Sequence, residues 1–200
     1  RLDYIDKFGY YCTESSEHNA EYSALYIKPN RDDLIEKFKI PLDEYPRRCV
    51  NQIEYWQKQK VKISEDPNWI QHKRTWEYAS HIMEAVVTNK PYIFGGNVIN
   101  NGVIPNLPAE ACVEVTCLVN KYGIQPCAQP PLPLQLAAMN RTNINVQLLT
   151  IEAARTRKKE DILRAVMLDP HTAAELSIDD MAKLVDELIE AHGPYMAMYK

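Results

Sequence analysis

Two polar segments contain most of the side chains that could act on a small substrate. The first spans residues 8–22 and brings two tyrosines, two carboxylates and a histidine close together: Tyr10, Tyr11, Glu14, Glu17 and His18. A phenol can serve as a base when a nearby cation lowers its pKa from about 10. A carboxylate is the alternative base, and an imidazole can hydrogen-bond to a hydroxyl or orient the base. Packing and helix capping are the structural alternatives for the same residues.

The second segment spans residues 95–115 and combines a glycine pair with several amides: Asn97, Asn101 and Asn106. An amide side chain both donates and accepts hydrogen bonds, so it suits a neutral ligand rich in hydroxyl groups. The alternative, strongest for Asn100 and Asn101, is a turn in which asparagine adopts a positive φ. We therefore treat Asn97, Asn101 and Asn106 as candidate substrate-binding residues.

Composition limits the classes of partner. The chain has 200 residues, of which 46% are hydrophobic and 25% charged, enough for one large domain or two small ones. A formal net charge of −4 argues against a nucleic-acid partner, because phosphate binding needs a surplus of Lys and Arg. No apolar run approaches the roughly 18 residues of a membrane span, so no membrane partner is expected. Five cysteines without a Cys-x-x-Cys pair indicate a reducing compartment, the cytoplasm.

Hydrophobic periodicity and end signals predict helices before and after a short β region. The helices before it are expected at residues 1–8, 13–27, 32–38, 43–63 and 72–88. The β region is expected to hold a strand at 92–94 that Gly95-Gly96 ends or bends, a hairpin turn at 100–102, a strand at 112–119 and a short last strand. A proline-rich connector at 126–133, a long helix at 134–167 and a helix that starts at Ser177 follow.

This order predicts an α+β fold, with helices around a small, mainly antiparallel sheet. The chain contains neither Gly-x-Gly-x-x-Gly nor a Walker loop, so no nucleotide site is expected in it. Cys112 and Cys117 lie five residues apart near one strand and are interpreted as buried apolar residues. They are not interpreted as a metal-binding pair.

Both polar segments resemble the α-galactosidases, or melibiases, of glycoside hydrolase family four. Residues 40–48, 140–145, 167–175 and 191–195 match that family in the same order. The resemblance covers essentially the whole chain but only the C-terminal part of such an enzyme. It implies that residues 1–200 form a substrate-binding and oligomerisation domain, like the C-terminal domain of lactate/malate-dehydrogenase-like family-four glycosidases. By the same resemblance, the N-terminal Rossmann domain that binds NAD in the family is expected to be absent from this chain.

The resemblance also implies an unusual route of glycoside hydrolysis. In the family, NAD oxidises the C3 hydroxyl, Mn²⁺ polarises the C2 and C3 oxygens, and a base removes the C2 proton. The aglycone leaves from C1, water adds, and the C3 ketone is reduced again. Tyr10 and Tyr11 match the region of the family's base, with Glu14 and Glu17 in reserve and His18 as a substrate-binding residue.

Several expectations about the whole protein follow from the same resemblance. The substrate is expected to be an α-galactoside such as melibiose, and the protein a homo-oligomer. NAD and Mn²⁺ are expected in the full-length enzyme, but this fragment alone should bind neither and be inactive. The alternatives are a related α-glucosidase or α-galacturonidase, and a non-catalytic assembly module. The lack of a basic cluster in the two polar segments argues against anionic sugars, which need Arg or Lys partners.

Overall fold

The structure is a computed structural model that describes residues 1–66 and 68–199. Its helices and strands follow one another in the α+β order that the sequence predicts. The helices before the sheet are α1 (Leu2–Phe8), α2 (Ser16–Glu21), α3 (Asp32–Phe38), α4 (Glu44–Glu65) and α5 (Ala79–Thr88). The sheet contains β1 (Tyr92–Ile99), β2 (Cys112–Asn120) and β3 (Gly123–Pro126). The helices after it are α6 (Leu134–Thr156), α7 (Lys159–Met167), α8 (Pro170–Glu175) and α9 (Ile178–His192), with a 3₁₀ turn at Gly193–Met196.

Several predicted helices are confirmed at their ends. α1 ends at Gly9, whose positive φ of 79° is typical of a helix C-cap. α3 covers residues 32–38, as predicted, and α4 differs from its predicted bounds by one or two residues. The side chains of Ser15 and Ser177 accept hydrogen bonds from backbone N–H groups at the starts of α2 and α9. Capping chemistry therefore located the start of α9, whereas α2 begins three residues after its predicted start at residue 13.

Three predicted helices are wrong in extent, each for a local reason. The helix predicted at 13–27 stops at Glu21, because Ser23 Oγ accepts the Leu25 N–H and closes a turn instead. The helix predicted at 72–88 begins only at Ala79, because Thr75 Oγ1 accepts the Glu77 N–H in the same way. The helix predicted at 134–167 divides into α6 and α7 at Arg157, which adopts a φ of 58°.

The sheet is antiparallel with the order β1-β2-β3, and one strand is longer than predicted. β1 continues through Gly95 and Gly96 to Ile99, so the prediction that the glycines end it is wrong. A Cβ on Gly96 would lie 2.9 Å from Cys117 Sγ, so glycine is what allows the two strands to pack this closely. The hairpin turn predicted at residues 100–102 does not join two strands directly, because the loop between β1 and β2 continues through residues 103–111.

Alternate residues of β1 and β2 point into a core on one face of the sheet. Phe94 pairs with Cys117, and Val98 pairs with Val113, so these side chains share that face. The loop at 103–111 and α6 cover the face with apolar side chains that include Ile104, Leu107, Ala137, Ile144 and Leu148. The opposite face of these two strands is exposed and carries both polar side chains, such as Glu114, and apolar ones, Ile93 and Ile99.

A second core holds the N-terminal helices together and rests on α6. Tyr4, Ala20, Tyr26 and Ile40 are its buried residues, and Met139 of α6 packs against them. Two amides of α6 add hydrogen bonds, from Gln135 Nε2 to the Phe8 carbonyl at 3.2 Å and from Asn143 Nδ2 to the Tyr22 carbonyl at 3.0 Å. Both carbonyls lie at helix C-termini, where the backbone has no intrahelical donor left.

α4 differs from the other long helices because it buries no residue. Its apolar side chains instead form an exposed stripe: Tyr45, Val50, Ile53, Trp56 and Ile63. Within residues 1–66 and 68–199, no helix is both long and apolar enough to cross a membrane. All five cysteines lie in the described part of the chain and are free thiols. Cys117 is buried as predicted, but the prediction that Cys112 is buried is wrong, because it begins β2 on the exposed face.

Candidate functional site

A cleft of about 640 Å³ opens between the N-terminal segment and the exposed face of the sheet. Tyr10 lines one side of it, and Gly95, Glu114 and Thr116 line the side formed by the sheet. A proline-rich strap, defined as residues 129–133, forms a further wall. The cleft therefore combines a phenol, a carboxylate, a hydroxyl and an amide with an apolar wall, the usual composition of a small-molecule site.

The sheet places Glu114 and Thr116 through simple strand alternation. Both are exposed, whereas their neighbours Val113, Val115 and Cys117 are buried on the opposite face. In the register of β1 and β2, Gly95 lies opposite Thr116. A Cβ on Gly95 would lie 3.0 Å from Glu114 Oε1, so the missing side chain lets this carboxylate lie across β1.

A buried amide organises the loop beside the cleft. Asn100 is fully buried, and its Nδ2 donates to the carbonyls of Ile104, Leu107 and Pro108 at 3.0 Å each. Its Oδ1 accepts the Ile104 N–H at 2.7 Å. One side chain thus satisfies backbone groups along the loop that the sheet cannot reach. The loop in turn holds the strap.

Hydrogen bonds connect the strap and the residues just before it to the sheet and to the loop. The Cys127 N–H donates to the Thr116 carbonyl at 2.9 Å, just before the strap begins. The Gln129 N–H donates to the Val103 carbonyl at 2.8 Å. Asn106 pairs with the Leu132 backbone farther along the strap. The wall that it forms is therefore anchored along its length.

The two candidate tyrosines have different surroundings. Tyr10 is 48% exposed and lines the cleft. Tyr11 is similarly exposed, but its ring lies under the Arg1 guanidinium, 5.5 Å from the ring centroid. The segment that carries both is held by the hydrogen bond from Cys12 Sγ to Asn19 Oδ1 at 3.4 Å. Of the two, Tyr10 is the one that a molecule in the cleft would touch.

The reserve carboxylates and His18 are not among the described residues that line the cleft. Glu14 Oε1 accepts the Ser15 N–H at 2.8 Å near the start of α2. The neighbouring carboxyl of Glu44 raises the pKa of Glu17. His18 Nδ1 lies 3.1 Å from Glu21 Oε2, and this hydrogen bond raises the pKa of His18.

The three candidate asparagines occupy three kinds of position. Asn97 is exposed on β1 and lies opposite Glu114 in the strand register, next to the cleft. Asn101 is exposed in the turn, where it has a φ of 41°. Asn106 is exposed, and both polar groups of its amide bond to Leu132. The structure therefore brings Asn97 near the cleft and engages Asn106 in its wall.

Sequence reasoning did not single out Glu114, Thr116 or Gln129. It interpreted Asn100 only as a turn residue with a positive φ, and of Asn100 and Asn101 it is Asn101 that adopts one. The alternation in β2 was a usable signal for Glu114 and Thr116, because it places them together on the solvent face. Gln129 and Asn100 had no such signal. Their roles depend on which backbone groups the folded loop leaves without partners, and a linear pattern does not contain that information.

The donor set of the described residues does not fit a bound metal. Within residues 1–66 and 68–199, no three His, Cys, Asp or Glu side chains are grouped so that they could hold an ion. The sheet that the structure describes is antiparallel, unlike the parallel sheet of a dinucleotide-binding fold. The described residues therefore fit neither Mn²⁺ nor NAD.

Comparison with known proteins adds relatives to this geometry. The chain is 57% identical over 200 residues to the alpha-galactosidase of Bacillus subtilis (strain 168), covering 100% of this chain and 46% of that protein. It thus spans about half the length of the curated relatives it matches. The crystal structure of lplD from Bacillus subtilis covers 94% of this chain and 42% of its own, with a TM-score of 0.80 and 20% identity.

A further solved structure and a family description complete the comparison. The structure of a 6-phospho-alpha-glucosidase from gut microorganisms, in complex with NAD and Mn²⁺, has a TM-score of 0.52 and 22% identity. It covers 60% of this chain and 26% of its own. Residues 1–172 match the family described as family 4 glycosyl hydrolase C-terminal domain. Because that match takes in both core regions and the cleft, the chain belongs to the C-terminal domain family of the family 4 glycosyl hydrolases.

Proposed function

We propose that this chain is the substrate-binding and oligomerisation domain of a family 4 α-galactosidase that acts in the cytoplasm on α-galactosides such as melibiose. The observation that carries the proposal is the cleft, where Tyr10 lines one side and Glu114 and Thr116 of the sheet line another. The 57% identity to a protein named alpha-galactosidase supports the substrate class. The cleft's described lining includes Glu114 and no Lys or Arg, which favours a neutral sugar over an anionic one.

In this proposal, Tyr10 Oη accepts the proton that leaves C2 of the sugar. Its place in the cleft wall favours Tyr10 over Tyr11, which lies against Arg1. Glu14 and Glu17 are the reserve bases. The family reaction also uses NAD and Mn²⁺, which a solved relative contains. Since the described residues fit neither group, we assign both to protein outside them and derive no step through them.

The remaining candidate residues serve substrate binding in the proposal. Asn97 lies beside Glu114 in the register, so its amide can donate to and accept from the same sugar hydroxyls. Asn101 and His18 are proposed to bind more distant parts of the substrate. Asn106 has its amide engaged with Leu132, so we propose that it acts on the substrate through the strap.

The intact protein tests the assignment of the base. Tyr10→Phe removes one hydroxyl and little volume, so turnover should fall by about 10²- to 10⁴-fold while NAD binding is preserved. The deuterium isotope effect at C2 should grow relative to the effect at C3, because proton removal becomes the slower step. Tyr122→Phe, at an exposed site in the turn before β3, is the matched control. Loss of turnover in Tyr11→Phe instead would move the base to Tyr11, and normal turnover in both would reject a tyrosine base.

Self-association is the second part of the proposal, with the apolar stripe of α4 as the candidate contact. The stripe includes Ile53 and Trp56, which are exposed on a helix that buries no residue of its own. Light scattering should show more than one copy per particle, and Ile53→Glu with Trp56→Glu should reduce the particle to one copy. If the unsubstituted protein is a monomer, the proposed self-association is wrong, and the proposed activity is not affected.

The non-catalytic alternative makes the opposite prediction for ligands. An assembly module would keep the fold and the self-association but would show no effect of melibiose on the cleft. Titration of melibiose into the intact protein, followed by the NMR signals of Tyr10 and Gly95, separates the two. Shifts confined to other parts of the molecule would favour the assembly module.

A further inference from the structure

The strap has very few ways to be held in place. Its sequence from residue 130 is Pro-Pro-Leu-Pro, and proline has no backbone N–H. Leu132 therefore has the only backbone donor between Pro130 and Pro133. A wall of this composition cannot join a sheet ladder, so between its bond at Gln129 and the start of α6 its position depends on what binds Leu132.

Asn106 binds both backbone groups of Leu132. Its Nδ2 donates to the Leu132 carbonyl at 2.8 Å, and its Oδ1 accepts the Leu132 N–H at 2.9 Å. The pair reproduces the two-bond exchange between paired residues of an antiparallel sheet, with a side chain in place of one strand. The Leu132 side chain also packs against the sheet core, so the residue is fixed on two sides.

Asn106 is itself held by the organised loop. The next two residues, Leu107 and Pro108, give their carbonyls to the buried Asn100 amide. The same loop binds the start of the strap through the Val103 carbonyl and the Gln129 N–H. A continuous path of hydrogen bonds therefore runs from the buried core, through the loop, to the wall of the cleft.

We propose that Asn106 is a positioning residue that sets the strap, and through it the shape of the cleft that receives the sugar. The expected effect on catalysis rests on the proposed function. The anchoring of the strap by Asn106 does not rest on it. Loosening the strap displaces a wall and leaves Tyr10 and Glu114 in place. The expected effect is therefore on KM more than on kcat.

The decisive variant is Asn106→Asp, which keeps the size and shape of the side chain. An ionised aspartate still accepts the Leu132 N–H, but it sets a second negative oxygen against the Leu132 carbonyl. A protonated aspartic acid again offers one donor and one acceptor, as the amide does. The defect of this variant should therefore shrink as the pH falls from 7 towards the carboxyl pKa, near about 4 in the absence of neighbours.

Two measurements read the effect, each as a ratio to the unsubstituted protein at the same pH. Amide hydrogen exchange of Leu132, observed by NMR with ¹⁵N-leucine, should accelerate at least about tenfold at pH 7 and recover near pH 4.5. In the intact protein, kcat/KM for melibiose should fall about 10- to 100-fold at pH 7, mainly through KM, and recover in the same range.

The controls separate anchoring from general damage. Asn106→Leu lacks both polar groups and should show the defect at every pH, without recovery. Asn140→Ala removes an exposed α6 amide whose bond is to the Leu136 carbonyl, and it should change neither readout.

Each outcome tests either the anchoring of the strap or its role in substrate binding. Unchanged Leu132 exchange in Asn106→Asp, or a defect that does not depend on pH, overturns the anchoring. Faster exchange with an unchanged KM overturns the role in substrate fit. If the intact protein does not turn over melibiose, the proposed function fails, and the exchange data still decide the anchoring.

Discussion

The two sides of the cleft are built in different ways. On the sheet side, Glu114 and Thr116 are placed by a strand ladder, and the neighbouring loop is fixed by the buried Asn100. On the N-terminal side, Tyr10 lies in an irregular segment after α1, and α6 holds the helices around it through two partly exposed amides. The sheet side depends on buried backbone hydrogen bonds and the N-terminal side on side-chain tethers. Substitutions should therefore cost much more stability on the sheet side.

The largest effect is expected at Asn100. Asn100→Leu removes the partner of the Leu107 carbonyl and of the Ile104 N–H, and it removes one of the two donors to the Ile104 and Pro108 carbonyls. The free energy of unfolding should therefore fall by about 3 kcal/mol. The adjacent Asn101→Gly is the matched control, because Asn101 is exposed with a positive φ that glycine adopts freely. Urea denaturation at neutral pH measures both. If both variants lose the same free energy of unfolding, the hydrogen bonds of Asn100 do not stabilise the sheet side.

The glycine pair of β1 gives the next largest effect. A Cβ at Gly96 meets the buried Cys117 Sγ at 2.9 Å and the Phe94 ring at 3.1 Å, so Gly96→Ala should cost about 1–3 kcal/mol. A Cβ at Gly95 meets the end of the exposed Glu114 side chain, which can move aside. Gly95→Ala should therefore cost less than about 1 kcal/mol. Denaturation midpoints decide, and a larger loss at Gly95 would contradict the assignment of the two faces.

The glycine pair also shows where sequence reasoning reaches its limit. The fold class and the N-cap at Ser177 follow from local chemistry and period, and the structure confirms them. The continuation of β1 through Gly95 and Gly96 depends on how closely a neighbouring strand approaches, which a single strand cannot reveal.

The cleft follows the same division. Tyr10 could be selected because its segment concentrates polar side chains, and the structure places it in the cleft wall. Asn106 contributes through hydrogen bonds to Leu132, and Gln129 through a hydrogen bond to Val103. Each partner lies about 26 residues away in the sequence. Arg157 is a similar case within the helices, since nothing in its residue type predicts the positive φ that separates α6 from α7.

A moderate effect is expected on the N-terminal side. Asn143→Ala removes the hydrogen bond to the Tyr22 carbonyl, and the protein should lose about 1 kcal/mol. Hydrogen exchange should accelerate in α2, whereas amides of β2 should keep their protection, because the two cores are separate clusters. The exposed Asn140→Ala is the control, with changes within about 0.5 kcal/mol. Equal acceleration in β2 would show that the two sides open as one unit and would remove the contrast between them.

The smallest effect is expected at the surface pair of His18 and Glu21. The hydrogen bond to Glu21 raises the folded-state pKa of His18 above its ordinary value of 6.5. A raised pKa means that the folded state holds this proton more tightly than the unfolded state does. The stabilisation is therefore fully present below pH 6.5 and is lost as the pH rises through the folded-state pKa.

Glu21→Gln tests this sign directly. Because both side chains are largely exposed, the difference in Tm between the unsubstituted protein and the variant should be small. It should be greatest between about pH 5 and 6, where Glu21 is ionised and His18 is protonated, and it should vanish at alkaline pH. An NMR titration of the His18 ring should show a lower midpoint in Glu21→Gln. A midpoint that does not move, or a Tm difference that grows with pH, would show that the ion pair does not form and that α2 is held only by its packing and by the α6 tethers.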